Sequence, residues 1–381
     1  MRVQGGQALI DGKLVAADIG IDEGEGVIAS VGAANGNGRV FDARGLHVLP
    51  GIVDIHGDAF ERQLMPRPGV SFPVDVALVD SDRQCVANGI TTVFHGVTCS
   101  WEPGLRSIDN ARTILGAIEN LAPAFGADTR FHLRHETFNL DAEAEVTDWI
   151  GEGRIGMLGF NDHMPGANAP ARVRKVAQMA ERAGLSVEDF AALVERLRGR
   201  ADEVPGSIAR LAAAAHAHGA PMLSHDDMSP EQRRWFRDLN CRVAEFPTTV
   251  ETAQDATAAG DDVVMGAPNV VRGGSHIGWI GAADMIARGC CTILASDYYY
   301  PAPLLAAFRL VADGVAPLAQ AWTYVSTRPA KAAGLTDRGV LAAGKRADVI
   351  AVDASDPRRP KLVAAFAKGR VVHLSDGARL Q

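Results

Sequence analysis

Positive charge is in short supply in this chain: 38 lysines and arginines against 46 aspartates and glutamates leave a formal charge of -8 over 381 residues. A surface of that sign has no broad basic face for nucleic acid, although local arginine clusters for a small anion remain compatible with it. Cysteine is scarce too. The five, Cys85, Cys99, Cys241, Cys290 and Cys291, are odd in number and form no Cys-x-x-Cys pair. That excludes a disulfide framework and a structural zinc knuckle and points to reduced thiols. No apolar run is long enough to span a bilayer, and no apolar signal core precedes Asp11. The expectation is a cytoplasmic protein with no membrane partner. Nor does a Gly-x-Gly-x-x-Gly or Walker loop stand between a strand and a helix, which sets dehydrogenases and kinases aside.

What is present is an ordinary globular composition, 47% apolar and 22% charged, organised around a repeated formula. A short apolar run ends on polar residues, and a stretch rich in Ala, Arg and Glu follows. The first run, Ile52-Val53-Asp54-Ile55-His56-Gly57-Asp58, is followed by runs ending at His95, Glu136, His163, Asp227, Thr249, Asn269 and Asp297. Helical patterns such as 109–121 and 187–197 lie among them. Eight strands alternating with helices imply right-handed βαβ units, and hence an α/β fold, a (β/α)8 barrel whose polar strand ends gather at one catalytic face. Residues 1–49 and 340–381 carry short apolar runs between Gly-rich turns. These read as a small antiparallel sheet joined by the C-terminal strands into one β-sandwich domain, with 50–339 as the barrel. Residues 164–208, with Arg172, Arg174 and Lys175, form an insertion that is either a lid or a long connection with a solvated basic face.

His56, Asp58, Glu136, His163, His225 and Asp297 fall at strand ends that only a closed barrel brings together. Imidazole nitrogen with carboxylate oxygen is the ligand mix of hydrolytic zinc, manganese or iron centres, and six such groups suffice for two divalent ions, zinc foremost. Taken singly, each has a structural alternative. His163 caps a turn, His225 pairs with Asp226, or Glu136 holds an arginine of the barrel wall. Alternation puts His132, Arg134 and Glu136 on one face and His135 toward the helices. His216 and His218, in an Ala-rich helical run, read as core or surface residues. A second constellation runs from Gly266 through Asn269, Arg272, Ser275 and His276. Glycines there allow close backbone approach to an anion and Arg272 adds a forked donor, so a phosphate cradle is expected, with a surface loop as the alternative. Tyr298, Tyr299 and Tyr300 either line that pocket or pack.

Pro50 to His56, Pro66-Arg67-Pro68-Gly69-Val70, Ser224-His225-Asp226-Asp227, Ala244 to Thr249, Met265 to His276, Ser296 to Tyr299 and 338–348 resemble the amidohydrolase superfamily. Within it they are similar to the ribose methylphosphonate triphosphate diphosphatases of phosphonate catabolism. The resemblance runs in order from about 50 to 353. It implies a bridged two-metal centre and hydrolysis of a 5-triphosphate to the 5-phosphate and pyrophosphate, acting on a small anionic phosphorylated substrate. It places His56, Asp58, His163 and His225 as metal ligands, Glu136 as the bridging carboxylate, and Asp297 as the acid after the last strand. Asp297 is expected to accept the proton of the attacking water. Asn269, Arg272, Ser275, His276 and Tyr298 are the candidate substrate contacts. This chain departs from the pattern at Gly57, where the narrower family commonly has threonine, at Glu61-Arg62-Gln63 and at Gly166-Ala167-Asn168. It also carries Glu136 one strand earlier than the bridging residue of most relatives. The alternatives are a hydrolase of cyclic amides, amidines or lactones, and a non-catalytic scaffold. Homo-oligomerisation stays open.

Overall fold

The computed structural model describes residues 1–33, 38–67, 69–165, 169–274 and 281–381, without the side chains of 169–175. All eight expected strands are present: β1 (Ile52–Gly57), β2 (Ile90–Cys99), β3 (Asp128–Glu136), β4 (Met157–Asn161), β5 (Met222–His225), β6 (Val243–Glu245), β7 (Asp262–Gly266) and β8 (Ile293–Ala295). Each is hydrogen-bonded in parallel to its neighbour in chain order. A parallel bridge between Gly57 and Asp297 joins the last strand end to the first and closes the barrel. Strands covered on both faces read as unbroken apolar runs, and all ten residues of β2 are buried. Val53, Ile55, Phe94, Met157, Leu223, Val243, Val264 and Ile293 fill the interior below the polar strand ends. The β1–β2 register slips between Asp54 and Gly57, an irregularity of the kind that re-aims a side chain at a barrel rim.

The expected helices are found at Ile108–Leu121 and Val187–Arg198. The insertion is a helical hairpin, Ala169–Ala183 with Val187–Arg198, closed by its own small core of Val176, Met179, Phe190 and Val194. Trp101, from the segment after β2, packs against that core. Arg182 adds an ion pair at 2.5 Å to the buried Glu102. Gly166, Ala167 and Asn168 lie outside the described residues.

The strand-rich termini make the β-sandwich read from the sequence, but their pairing is not all antiparallel. They form two sheets, one of four strands and one of six. Arg2–Gln4 pairs in parallel with Val40–Asp42, and Gln7–Ile10 in parallel with His47–Pro50. The long intervening segment supplies the crossover that parallel pairing needs, which local hairpin signals do not reveal. The six-stranded sheet is mixed: Val349–Asp353 lies antiparallel to both His47–Pro50 and Lys361–Ala367. Val3, Ile19, Phe41, Val48, Val349 and Phe366 share one core between the sheets.

Candidate metal centre

The polar strand ends converge at the C-terminal rim of the barrel. Three groups of possible ligand atoms lie within 4.8 Å of one another: His56 with Asp58 and Asp297, His163 with His225 and Asp226, and His56 with His225 and Glu245. The last differs in kind from the other two. Glu245, fully buried on β6, accepts from His56 Nδ1 at 2.7 Å and from His225 Nδ1 at 2.8 Å. A carboxylate in that position fixes each ring as the Nδ1–H tautomer and turns both Nε2 atoms away from it. Those interactions hold Glu245 well below the usual carboxylate range although burial pushes it up. The two histidines diverge. Burial pulls both down, but at His56 the Glu245 charge prevails and its pKa is raised, whereas at His225 burial prevails.

Glu136 stands behind His163 and is itself outside the ligand groups. It takes the backbone N–H of His163 at 3.0 Å on one oxygen and His163 Nδ1 at 2.5 Å on the other. Against burial, the His163 contacts bring it down to about 2. It stands on the third barrel strand, as counted from the sequence. With both oxygens engaged by His163, it belongs to no ligand group among the described residues. His163 Nε2 instead faces Asp226 Oδ2, 3.9 Å away.

Asp297 lies at the closure. Its N–H donates to His56 O at 2.9 Å, and its carbonyl accepts from the Asp58 N–H at 3.0 Å. Burial first, and then the Asp58 charge, raise its carboxyl to about 7. Gly266 gives it room: a Cβ there would stand 3.2 Å from Asp297 Oδ2. Asp226, Phe246 and Asp297, each at the end of a strand, all have φ between 54 and 57°. Left-handed backbone at non-glycine residues is strain of the kind that collects at functional sites. Gly57, where a threonine resembles the family better, has no space for one, because its Cβ would lie 2.9 Å from Asp54 Oδ2 and 3.0 Å from Ser296 Oγ.

Four residues at this rim were absent from the sequence-derived ligand set: Glu245, Asp226, Arg134 and Asn161. Arg134 stands between the two triads, 3.2 Å from Asp58 Oδ2 and 3.5 Å from His225 Nε2. With its amide oxygen turned inward, Asn161 accepts from the same guanidinium at 3.2 Å. Alternation put Arg134 on the Glu136 face, and polar residues closing β4 and β6 were the available signal for Asn161 and Glu245. His132 donates to Ile55 O at 3.0 Å, and burial takes it down to about 3. His95 and His135 are buried and held near 4 by desolvation, and neither joins a ligand group. His216 and His218 are exposed.

The expected glycine-loop cradle is a helix over its first part. Ala267–Arg272 continues directly from β7, with proline in its first turn and Gly273 at φ 81° as its stop, the arrangement that favours a short helix over an open loop. Ser275 and His276 lie outside the described residues. Asn269 leaves a buried Oδ1 without a partner. Arg272 donates to the Tyr298 hydroxyl at 3.3 Å, and the Arg62 guanidinium lies 5.6 Å over the same ring. Tyr300 is buried and Tyr299 half exposed.

Comparison with known proteins bears on this arrangement. The chain is 33% identical over 359 residues to the alpha-D-ribose 1-methylphosphonate 5-triphosphate diphosphatase of Escherichia coli, covering 88% of this chain and 93% of that protein. The amidohydrolase family profile matches residues 201–374. The chain belongs to the amidohydrolase family. A more distant member of the comparison is the adenine deaminase of Methylobacterium nodulans, 26% identical over 96% of this chain but only 56% of that protein. The D-hydantoinase of Bacillus sp. AR9 shares the fold, with a TM-score of 0.65 at 13% identity over 98% of this chain and 95% of that one. The nitrogen and oxygen donors at the rim, with carboxylates behind three of the histidines, are compatible with divalent metal binding in this amidohydrolase. No helix among the described residues is long and apolar enough to cross a membrane.

Proposed function

We propose that this amidohydrolase cleaves alpha-D-ribose 1-methylphosphonate 5-triphosphate to the 5-phosphate and pyrophosphate. The likeness to the E. coli diphosphatase over nearly the whole of both chains carries this reading. His56, Asp58 and Asp297 form one ligand set and His163, His225 and Asp226 the other, for two divalent ions, zinc foremost, with manganese or iron as alternatives. Such ions, when bound, neutralise phosphate charge and make water acidic enough to attack at neutral pH.

The chain's own groups do the remaining work. Glu245 and Glu136 hold the histidine tautomers, so Glu136 acts as a positioning residue in place of the expected bridge. Asp297, whose carboxyl burial drives upward and which stands in a ligand group with His56 and Asp58, takes the proton of the attacking water on its carboxylate oxygen. Arg134 offers a forked donor between the two sets. Arg272, the Tyr298 hydroxyl, Arg62 and the Asn269 amide face the charge that gathers on departing pyrophosphate. Ser275 and His276 are proposed contacts of the same group.

Neither Arg62 nor Arg272 meets a carboxylate at ion-pair distance among the described residues. That pair favours a polyanion over the neutral amide or amidine ring of the alternative reading. Phosphorus NMR of the metal-loaded protein with the ribose methylphosphonate 5-triphosphate tests the proposal: pyrophosphate appears beside the 5-phosphate and chelator stops it. An unchanged spectrum at full metal content refutes it. Asp297→Asn is expected to lower turnover by at least 100-fold with the fold intact, and unchanged turnover with metal still bound removes it as proton acceptor.

A further inference from the structure

At the opposite end of the barrel from the histidines, three segments enclose a cavity of about 530 Å³. They are the turn after Asp22, the turn between Lys368 and Arg370 and the stretch from Ala122 into β3, and the chain between Arg338 and Arg346 completes the wall. Five cations line it, Arg130, Arg338, Arg346, Lys368 and Arg370, against two carboxylates, Glu23 and Asp128. In a protein of formal charge -8, such a concave surplus is a departure that needs a reason, because like charges facing one cavity repel unless an anion lies among them.

The internal partners do not remove the surplus. Asp128 is shared by Arg130 at 3.0 Å and Arg338 at 2.6 Å. Arg338 also reaches Asp337 at 2.9 Å, and Arg346 reaches Asp348 at 2.9 Å. Glu23 pairs with Arg39, which does not line the cavity. Arg370 donates to the Phe125 carbonyl at 3.0 Å and acts through its charge on Asp82 behind the cavity wall, and neither it nor Lys368 meets a carboxylate at ion-pair distance among the described residues.

The backbone holds this lysine in place. Lys368 has φ 49°, a conformation that side chains other than Gly and Asn rarely adopt. Its N–H donates to Asp348 Oδ1 at 2.9 Å. The two turns are pressed together so closely that a Cβ on Gly26 would lie 2.5 Å from Lys368 Cγ. That positive φ, followed by Gly369 at φ 76°, belongs to the two-residue hairpin turn between Ala367 and Arg370, and the turn fixes Lys368 on the cavity wall.

We propose that this cavity binds a phosphate-class polyanion. Lys368 supplies a mobile ammonium, and Arg370 and Arg130 supply forked donors that fit phosphoryl oxygens. A bound anion would tie the terminal sheets to the barrel floor. Arg130, the third residue of β3, and Glu136, its last, stand roughly 20 Å apart at the rise of a strand, so this site is separate from the metal-binding rim and does not depend on how that rim is read.

The test is calorimetric titration of inorganic pyrophosphate, and separately inorganic phosphate, into the metal-free full chain and two variants. Wild type is expected to bind pyrophosphate at two sites, this cavity and the rim proposed to hold departing pyrophosphate. The double variant Lys368→Ala/Arg370→Ala, whose side chains are exposed and whose fold is checked by circular dichroism, is expected to keep the rim site and to bind at least tenfold more weakly at the cavity. Arg272→Ala is expected to weaken the rim site and keep the cavity site. Added pyrophosphate should raise the unfolding temperature of wild type more than that of the double variant. No binding of either anion to wild type overturns the proposal, as does a double variant that retains every site of wild type.

Discussion

Replacing Glu245 with glutamine exchanges a single oxygen for nitrogen and leaves two histidines competing for one acceptor. In the wild type, His56 Nδ1 and His225 Nδ1 each donate to their own carboxylate oxygen, at 2.7 and 2.8 Å. The amide has one acceptor, and its N–H₂ side presents a donor to the other ring. That ring must then carry its proton on Nε2, the nitrogen turned toward the ligand sets, and cannot ligate without losing it. Outer-layer substitutions of this kind cost ~10–100-fold in metal affinity, which is roughly 1.4–2.7 kcal/mol. The near-identical shape of glutamine keeps the packing loss small, so the fold should survive. Competition titration against a chromophoric chelator, with circular dichroism as the control, reads the effect. Variant protein that holds two ions as tightly as wild type would refute the positioning role of Glu245.

Gly266→Ala should leave stability within about 1 kcal/mol, because φ is -70° there and alanine fits the backbone. Its Cβ would push on Asp297 Oδ2 from 3.2 Å; kcat/KM for the triphosphate is expected to fall at least tenfold, and undiminished turnover would show that the Asp297 placement is not critical. Arg233, buried on the helix Pro230–Asp238, pairs with Asp227 at 3.2 Å and Asp261 at 3.4 Å and donates to the carbonyls of Cys241 and Val243. Arg233→Met should lower stability by ~3–5 kcal/mol in urea unfolding, since it leaves buried carboxylates short of a partner, whereas a loss under 1 kcal/mol would mean that those acids simply protonate. In metal-free protein, Asp297 titrates near 7 folded against 3.8 as its ordinary value. Between those two pH values the folded chain holds a proton that the unfolded chain has released, so this group's contribution is full below 3.8 and is lost as pH rises to 7. The stability of wild type minus that of Asp297→Asn should therefore fall across this range by on the order of a few kcal/mol, and a flat or rising difference would contradict the raised pKa.

The barrel was legible because both its periods are short. Apolar runs such as Ile52 to Ile55 and Ile90 to Phe94 mark strands locally, and polar residues such as His56, His225 and Asp297 mark the same end of each. The terminal sheets were only half legible, since pairing Arg2–Gln4 with Val40–Asp42 depends on a non-local crossover that leaves no mark in either strand. At the rim, the sequence supplies which residues arrive but not how each divides its two faces. Glu136 and Glu245 look equivalent as strand-end acids. Only the structure shows that one engages His163 through both oxygens and that the other stands between His56 and His225. The Met265 to His276 segment read as a loop because its glycines outweighed the helix signal of Ala-Pro-Asn-Val-Val-Arg, a signal that works once proline occupies the first turn and Gly273 the stop.

Three buried carboxylates at one rim carry opposite protonation tendencies, and the difference assigns their work. Glu136 and Glu245 are buried, yet each has a donor on both oxygens, two imidazoles at Glu245 and one imidazole with a backbone N–H at Glu136, and both stay ionised far below neutrality. Asp297 is nearly as buried but has a carboxylate, Asp58, for its closest charged neighbour, and its pKa rises to about 7. Environments that push like groups apart in this way separate the acid–base residue from the positioning residues. An ionised carboxylate with a donor on each oxygen has little capacity for a proton, so both are poor acceptors however close they lie to a reacting water. Asp297 has the affinity for a proton and, through the space that Gly266 leaves, the room to take it. The barrel also closes through Asp297: its backbone joins the end of β8 to the His56 and Asp58 end of β1 by two hydrogen bonds. The proposed proton acceptor is thereby fixed to the strand end that supplies the other two members of its ligand group.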